Sequence, residues 1–309
     1  MVILFDHPDP DRAHLELDLI CPELGWCNMI ALTRSADASS RETQGTLSIK
    51  CAFGGTEIYA TPAGKHAVAP GRYLILNQGT RYSGWVESRT PVGSLCIFFR
   101  PRFAERGLQA LTRPSAELLD DPDHARAAPV EFVEKLYHHD AEMMSALEHL
   151  YRTLSMARPS AGWMEEQFHL LLARMAHAHN DASAQIARLP GIRRSTRMEV
   201  YRRLSRAYDF IEANLCQPIG LSEIAREAAL SPHHFLRLFR QAFGCTPHQH
   251  RTQRRMQQAR LLLEHSDRPV TDICFELGFE SPTSFSLLFR RHTGLSPSAY
   301  RRSARGSGR

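Results

Sequence analysis

The apolar positions along the chain change period twice, and the changes divide it. From about 24 to 100 they come as short alternating or β-branched runs: "TLSIKCAF" (46–53), "TEIYAT" (56–61), "RYLILN" (72–77), "RYSGWVE" (81–87) and "SLCIFFR" (94–100). Gly54-Gly55, Pro62-Ala63-Gly64, Pro70-Gly71 and Pro91 punctuate them, so the stretch predicts short strands of a small sandwich or barrel. After Pro101 the pattern dissolves, and 113–129 reads as loop. From about 140 the period is helical. Met144, Leu147, Leu150, Tyr151 and Leu154 share one face, and Met164, Phe168, Leu171, Leu172 and Met175 share the next. The second face can pack on its own barrel or on a partner subunit. "ARLPGIRR" (187–194) is the best interdomain break, and beyond it 197–215 predicts a helix with Val200, Leu204, Tyr208 and Ile211 inward.

The last third says nearly the same thing twice. "SPHHFLRLFRQAFGCTPHQHR" (231–251) and "SPTSFSLLFRRHTGLSPSAYR" (281–301) match in one register at Ser, Pro, Phe, Leu, Phe, Arg, Gly, Pro and the final Arg. Each copy follows a short amphipathic run, 221–229 or 270–278, which predicts a short helix. Ser231 or Ser281 then supplies the N-cap, Pro232 or Pro282 the first helical position, and Gly244 or Gly294 the stop. A short helix, a tight turn and an amphipathic second helix make a helix-turn-helix. The second turn is one residue longer, because Ile224 to Phe235 spans 11 positions and Ile273 to Phe285 spans 12. Between the copies, 247–266 predicts one unbroken helix. At roughly 27 Å, plus its end turns, it can hold two recognition helices about one DNA turn apart.

Charge sharpens this picture. The chain of 309 residues has a net charge of +5, but 191–309 holds 20 Arg and no Lys against 10 acidic residues, while the remainder is at −5. A basic half joined to a mildly acidic one points to a polyanionic partner, or else to a solvated basic surface. Hydrophobic content of 43% is ordinary. No apolar run is long enough to span a membrane, and "MVILFDHPDPDR" has no leader character, which predicts no secretory signal. Seven scattered cysteines suit a reducing cytoplasm better than a disulfide framework.

Tandem helix-turn-helix units on a long helix, each closing in Gly-x-x-Pro and an aromatic-Arg or His-Arg pair, resemble the AraC/XylS family of bacterial transcription regulators. "ESPTSFSLLFRRHTGLSPSAYRR" carries the resemblance most strongly, and the match covers about 200–303. It implies an α+β two-domain protein. The N-terminal domain is then a cupin-like β-barrel at 1–125 that senses an effector. A helical dimerisation segment follows at 126–190, and an all-α DNA-binding domain at 191–309 carries helix-turn-helix units at 221–243 and 270–293. It also implies a homodimer on double-stranded DNA, a small-molecule effector, RNA polymerase as partner for an activator, and a cytoplasmic, nucleoid-associated location.

The base-reading candidates are His233, His234, Leu236 and Arg237 in the first unit and Thr283, Ser284 and Leu287 in the second. The family's usual base contacts fall at His233 and Arg237. Arg237 can donate two hydrogen bonds to guanine or contact phosphate only, whereas Leu287 can touch a thymine methyl. Specificity is therefore expected mainly in the first unit. Phosphate candidates are Ser231, Arg240, Arg254, Arg255, Ser281, Arg290 and Arg291. For the effector, Arg72, Tyr82, Trp85 and His66 are candidates, each against the alternative of ordinary core or surface.

Four histidine clusters (138–139, 177/179, 233–234 and 248/250) raise a metal question. On a helix, His-x-His side chains diverge by about 200°, so no metal and no cofactor are expected. No Walker, Rossmann, GxSxG or HExxH motif is present. The enzyme alternative is a cupin oxygenase or an alkyl-transfer repair protein with an AraC-like tail. The second needs an activated cysteine, and neither Cys21-Pro22 nor Cys51 has the setting for one.

Overall fold

The computed structural model describes residues 2–5, 27–112, 131–138, 140–191 and 193–306. The loop expected at 113–129, Cys21 with Pro22, most of the N-terminal stretch and His139 lie outside the described residues. The chain forms two compact units, Met1–Ala184 and Gln185–Arg309. The division falls just ahead of the Pro190-Gly191 break.

The first unit is a nearly closed β-barrel, antiparallel except for its first strand, backed by helices. Its strands are β1 (Val2–Phe5), β2 (Met29–Ser39), β3 (Thr43–Gln44), β4 (Ser48–Phe53), β5 (Glu57–Thr61), β6 (Gly64–Val68), β7 (Arg72–Leu76), β8 (Arg81–Phe98) and β9 (Leu136–His138). Strand β8 is the spine. Its C-terminal half pairs with β2 and β4, and its N-terminal half pairs with β2, β3 and β5. The sequence pattern predicts two strands here, broken at Pro91, yet one strand of 18 residues runs through. Proline is tolerated because the register slips at that point. Ser35 pairs with Val92 and Asp37 with Glu87, so Pro91 lies in a bulge where no ladder amide is needed.

Alternation along the strands gives the sheet two different faces. On one, Ile49, Cys51, Tyr73, Ile75, Leu95, Ile97 and Phe99 pack under the helices α1 (Phe103–Thr112), α2 (Ala141–Met156) and α3 (Ala161–Ala187). Met144, Leu147, Leu150 and Leu154 of α2 join this core, as do Met164, Phe168, Leu171, Leu172 and Met175 of α3. The apolar face of α3 is therefore covered by its own barrel. Asp140 ties the layers together: its carboxylate accepts from Tyr73 Oη at 2.8 Å and caps α2 through the Met143 amide at 2.9 Å. The other face lines the barrel interior with Ala52, Tyr59, Val68, Leu74, Leu76, Tyr82, Val86, Val92 and Leu136.

The second unit is all helix: α4 (Arg194–Ala213), α5 (Leu221–Glu227), α6 (Pro232–Phe243), α7 (Pro247–His265), α8 (Val270–Glu276), α9 (Pro282–Thr293) and α10 (Pro297–Gly306). The two predicted helix-turn-helix pairs are α5/α6 and α8/α9, with α7 as the long helix between them. In α4 the inward residues include Tyr201, Leu204, Ala207 and Ile211, each fully buried, whereas Val200 is only half-buried. Gly244 and Gly294 close α6 and α9 in the left-handed conformation, at φ 75° and 81°.

Helices α5 and α8 end in the same hydrogen-bonded motif. The amides of Ala229 and Gly278 bond back to the Arg226 and Phe275 carbonyls, and those of Leu230 and Phe279 to the Ala225 and Cys274 carbonyls. The extra residue of the second turn is thus Glu280, just after the motif. Ala229 takes φ 50° where its counterpart Gly278 takes 74°. Ala229 is exposed, but a Cβ on Gly278 would meet the Cys216 carbonyl oxygen at 2.2 Å and Arg255 Nη2 at 2.8 Å. Opposite results are expected by thermal unfolding of the full chain. Ala229→Gly relieves left-handed strain and stabilises by about 0.5 kcal/mol. Gly278→Ala costs roughly 2–4 kcal/mol, because backbone cannot move aside for the methyl group.

Candidate nucleic-acid interface

Phe235 and Phe239 of α6, and Phe285 and Phe289 of α9, are fully buried at i, i+4 spacing. Rotation of 100° per residue then decides what each helix presents to solvent. On α6, His233, His234, Arg237, Arg240 and Gln241 are exposed, with Leu236 half-buried beside them. On α9, Thr283, Ser284, Leu287, Arg290 and Arg291 are exposed. Leu287 stands 63% exposed on an otherwise polar face, which leaves its apolar surface free for a partner group. Proline opens both helices, and Ser281 Oγ accepts from the Ser284 amide at 3.4 Å. Ser231 holds the N-cap position of α6 without a side-chain cap hydrogen bond and is exposed.

The arginines divide into two groups, and burial separates them. Arg240, Arg290 and Arg291 sit in the last turns of α6 and α9 and face solvent. Arg255, expected on phosphate, is 9% exposed and donates to the Leu215 carbonyl at 2.8 Å and the Gly278 carbonyl at 3.1 Å. Its guanidinium also stands 5.2 Å from the Phe279 ring centroid. Arg254, expected there too, donates through Nε to Glu212 Oε1 at 3.2 Å, and His250 Nε2 shares that oxygen at 2.8 Å. Those two arginines belong to the scaffold, because α7 turns this side toward α4 and the α8 turn.

The repeated final Arg has a structural role as well. Arg251 donates to the carbonyls of Leu215 at 3.1 Å and Ile219 at 3.0 Å, and also to that of Gln217. Arg301 donates to the Arg268 carbonyl at 2.6 Å. Ile219 and Arg268 each lie two residues before the first helix of their unit. In both copies the matched arginine therefore holds the entry of the motif whose recognition helix it follows.

This arrangement has relatives. The helix-turn-helix domain family matches residues 224–303. The probable transcriptional regulator LumQ of Photobacterium leiognathi is 35% identical over 92 residues, 30% of this chain and 37% of that protein. The HTH-type transcriptional activator RhaS of Klebsiella pneumoniae is 39% identical over 95 residues, 31% of this chain and 34% of that protein. The solved DNA-binding domain of AdpA in complex with a target DNA is 33% identical. That comparison covers 34% of this chain and 96% of the other, at a TM-score of 0.33. The C-terminal unit is an AraC-type DNA-binding domain. The chain spans about a third of the length of the curated relatives it matches.

In this AraC-type domain the histidines do not converge. His250 is buried on Glu212 while His248 is exposed, and His233 and His234 both face solvent. In the first unit, His177 faces Asp181 at the surface and His179 packs edge-on to Phe132. Among the described residues no group of three or more His, Cys, Asp or Glu could hold a metal ion, and no helix is long and apolar enough to cross a membrane. Burial pushes the Cys51 thiol up to about 12 and raises Cys96, Cys216, Cys245 and Cys274, the opposite of what an alkyl-accepting thiolate needs.

The barrel sorts the effector candidates by strand parity. Tyr82 is buried on the interior face, and His66 is buried with Nε2 3.4 Å from Thr61 Oγ1. Trp85 is odd where Tyr82 is even on β8; it lies on the outer surface, beneath the Lys65 ammonium. Arg72 opens β7 half-buried, opposite His138. Trp85 is therefore on the face away from Tyr82, whereas Arg72, at an even position, shares the parity of Leu74 and Leu76 at the start of its strand. A residue absent from the sequence candidates joins Tyr82: Lys50 is buried beside it, its Nζ donating to Tyr82 Oη at 3.1 Å. In sequence Lys50 stands alone between Ile49 and Cys51, and a single cation there reads as ordinary surface.

Three substitutions separate the roles, read by affinity and by selection of bound random DNA. Arg237→Ala costs about 1–3 kcal/mol on the cognate site and relaxes preference at one or two base pairs. Leu287→Ala costs less and relaxes preference at thymine alone. Arg255→Ala lowers the unfolding temperature and weakens binding while leaving the salt slope unchanged, which no phosphate contact does.

Proposed function

We propose that this chain is a DNA-binding transcription regulator whose barrel senses a small molecule. The observation that carries the reading is the exposure pattern of α6 and α9. Both are anchored by buried phenylalanines, and both turn hydrogen-bonding or cationic side chains outward from a basic AraC-type domain. Helices α6 and α9 enter successive major grooves on one side of the duplex. Helix α7, 19 residues and roughly 28 Å long, spans the interval between them. In the first groove Arg237, His233 and His234 read base edges, with Leu236 at the margin, and Arg240 and Ser231 meet phosphate. In the second, Thr283, Ser284 and Leu287 face the bases, with Arg290, Arg291 and Ser281 on the backbone.

The N-terminal unit supplies the regulatory input. Its interior places Tyr82 and Lys50 among apolar residues, the composition of a small-molecule site. We further propose that the protein acts as a homodimer in the cytoplasm, on the nucleoid, and recruits RNA polymerase as an activator. RhaS, which is named an activator, supports that sign. The apolar faces of α2 and α3 are taken up by the barrel, so a dimer uses the outer surface of these helices, where Leu170 is 43% exposed.

Fluorescence anisotropy on a selected site, between 50 and 200 mM salt, tests the DNA reading. With three phosphates neutralised by Arg240, Arg290 and Arg291, log K falls against log salt at a slope of roughly −3. A flat salt dependence contradicts it. Sedimentation of the full chain is expected to show a dimer at micromolar concentration, and a monomer there removes the dimer proposal.

A further inference from the structure

Lysine is almost never buried without a partner. Lys50 is nevertheless 1% exposed, on the interior face of β4. Its Nζ lies 3.9 Å from the Phe98 ring centroid, 4.6 Å from that of Tyr82 and 5.8 Å from that of Tyr59. Ring faces, the Tyr82 hydroxyl and the Cys96 thiol favour an ammonium, but burial raises that thiol toward its neutral form, so none of them supplies a fixed opposing charge. Glu57, on the neighbouring β5, reaches Lys50 only through space, and burial pushes its carboxyl toward the neutral form.

Two more polar atoms in this interior have nothing to bond. Ser48 stands two residues before Lys50 and so on the same face of β4; it is 0% exposed, and its Oγ has no hydrogen-bond partner. Glu57 Oε2 is likewise buried and unpartnered, although the same carboxyl interacts with Ser94 and Tyr59. Each such atom destabilises the fold unless something that enters the interior supplies its partner. The walls are built to fixed positions as well. Tyr59 pairs across the sheet with Gly84, and a Cβ there would stand 3.0 Å from the tyrosine ring, so the missing side chain lets the ring lie flat.

We propose that the barrel interior binds a small organic acid. Its carboxylate docks on Lys50 Nζ and accepts from Ser48 Oγ, its apolar body lies against Phe98 and Tyr59, and a hydroxyl substituent faces Glu57. The carboxylate supplies the one charge the interior lacks, and a charge-assisted hydrogen bond is strong where water is excluded. The proposal rests on the reading of the barrel as the sensory unit and names the chemistry it senses.

The test compares each acid with its own amide on the full-length protein: benzoate with benzamide, 4-hydroxybenzoate with 4-hydroxybenzamide, and hexanoate with hexanamide. An acid present at ten or more times its Kd raises Tm by about 3–6 °C, and its amide does not. Lys50→Met abolishes the response while leaving the ligand-free Tm equal or higher, because it removes a buried charge that has no counter-ion. Lys50→Arg retains part of the response. If no acid exceeds its amide, or if Lys50→Met still responds, the proposal is overturned, and water alone completes the polar atoms. The first of these comparisons needs no variant to fold. Anisotropy on DNA, with and without the acid, separates the two readings. Acid binding that depends on Lys50 but leaves DNA affinity unchanged keeps the site and overturns the sensory role. Salt-dependent DNA binding with no acid response does the reverse.

Discussion

The two helix-turn-helix units are joined through one buried guanidinium. Arg255 lies on α7, between the helix-turn-helix units, and bonds a carbonyl from each side: Leu215 after α4 and Gly278 after α8. Burial and the like charge of Arg251 both act against its ionised form, so the site must compensate with hydrogen bonds and the Phe279 ring. It does so by using carbonyls that helix ends leave unpaired, which carry the negative pole of the helix dipole. The result is geometric. A planar fork bonded on both sides limits rotation about α7 in a way a lone apolar contact does not.

Gly278 is part of the same constraint. Its left-handed turn brings its carbonyl to Arg255, and its missing side chain admits the Cys216 carbonyl and the guanidinium. In the first copy Ala229 makes the same turn in the open, where a methyl group is tolerated. Equivalent positions of a repeat thus carry different residues because only one of them is packed against the joint. Arg251 and Arg301 show the converse, a repeated residue with a repeated task. The exposed faces of the two recognition helices differ in the same way: Arg237 offers a fork of hydrogen-bond donors, whereas Leu287 at the matching position offers only apolar surface.

The barrel is organised by strand parity. Odd residues of β4 and β7 enter the core shared with α2 and α3, and even residues face the interior. The helices hold the sheet from outside, which frees the inside from carrying the core alone. An interior released from that duty can keep Lys50, Ser48 and Glu57 at a cost in stability, the usual mark of a site over a scaffold.

Much of the C-terminal unit was decided by sequence alone. Proline at the first helical position, glycine at the stop and phenylalanines four apart are local signals, and local signals determine helix ends and the buried face. The doubled pattern carried the architecture, and rotation about each helix axis settled which side chains reach solvent. What tertiary structure alone decided was the role of residues whose chemistry has two uses. Arg254 and Arg255 resemble Arg290 and Arg291 in sequence, yet two are built into the joint and two face solvent, because the path of α4 and of the α8 turn determines which side of α7 is covered. The strands showed the same limit. β2 and β6 have too little alternation to be strands by themselves, and Pro91 forbids the middle of β8 by its sequence alone until a slip in its partner removes the need for an amide. Lys50 was hidden for the same reason: one cation in an apolar strand is ordinary surface until the sheet curls and places it inside.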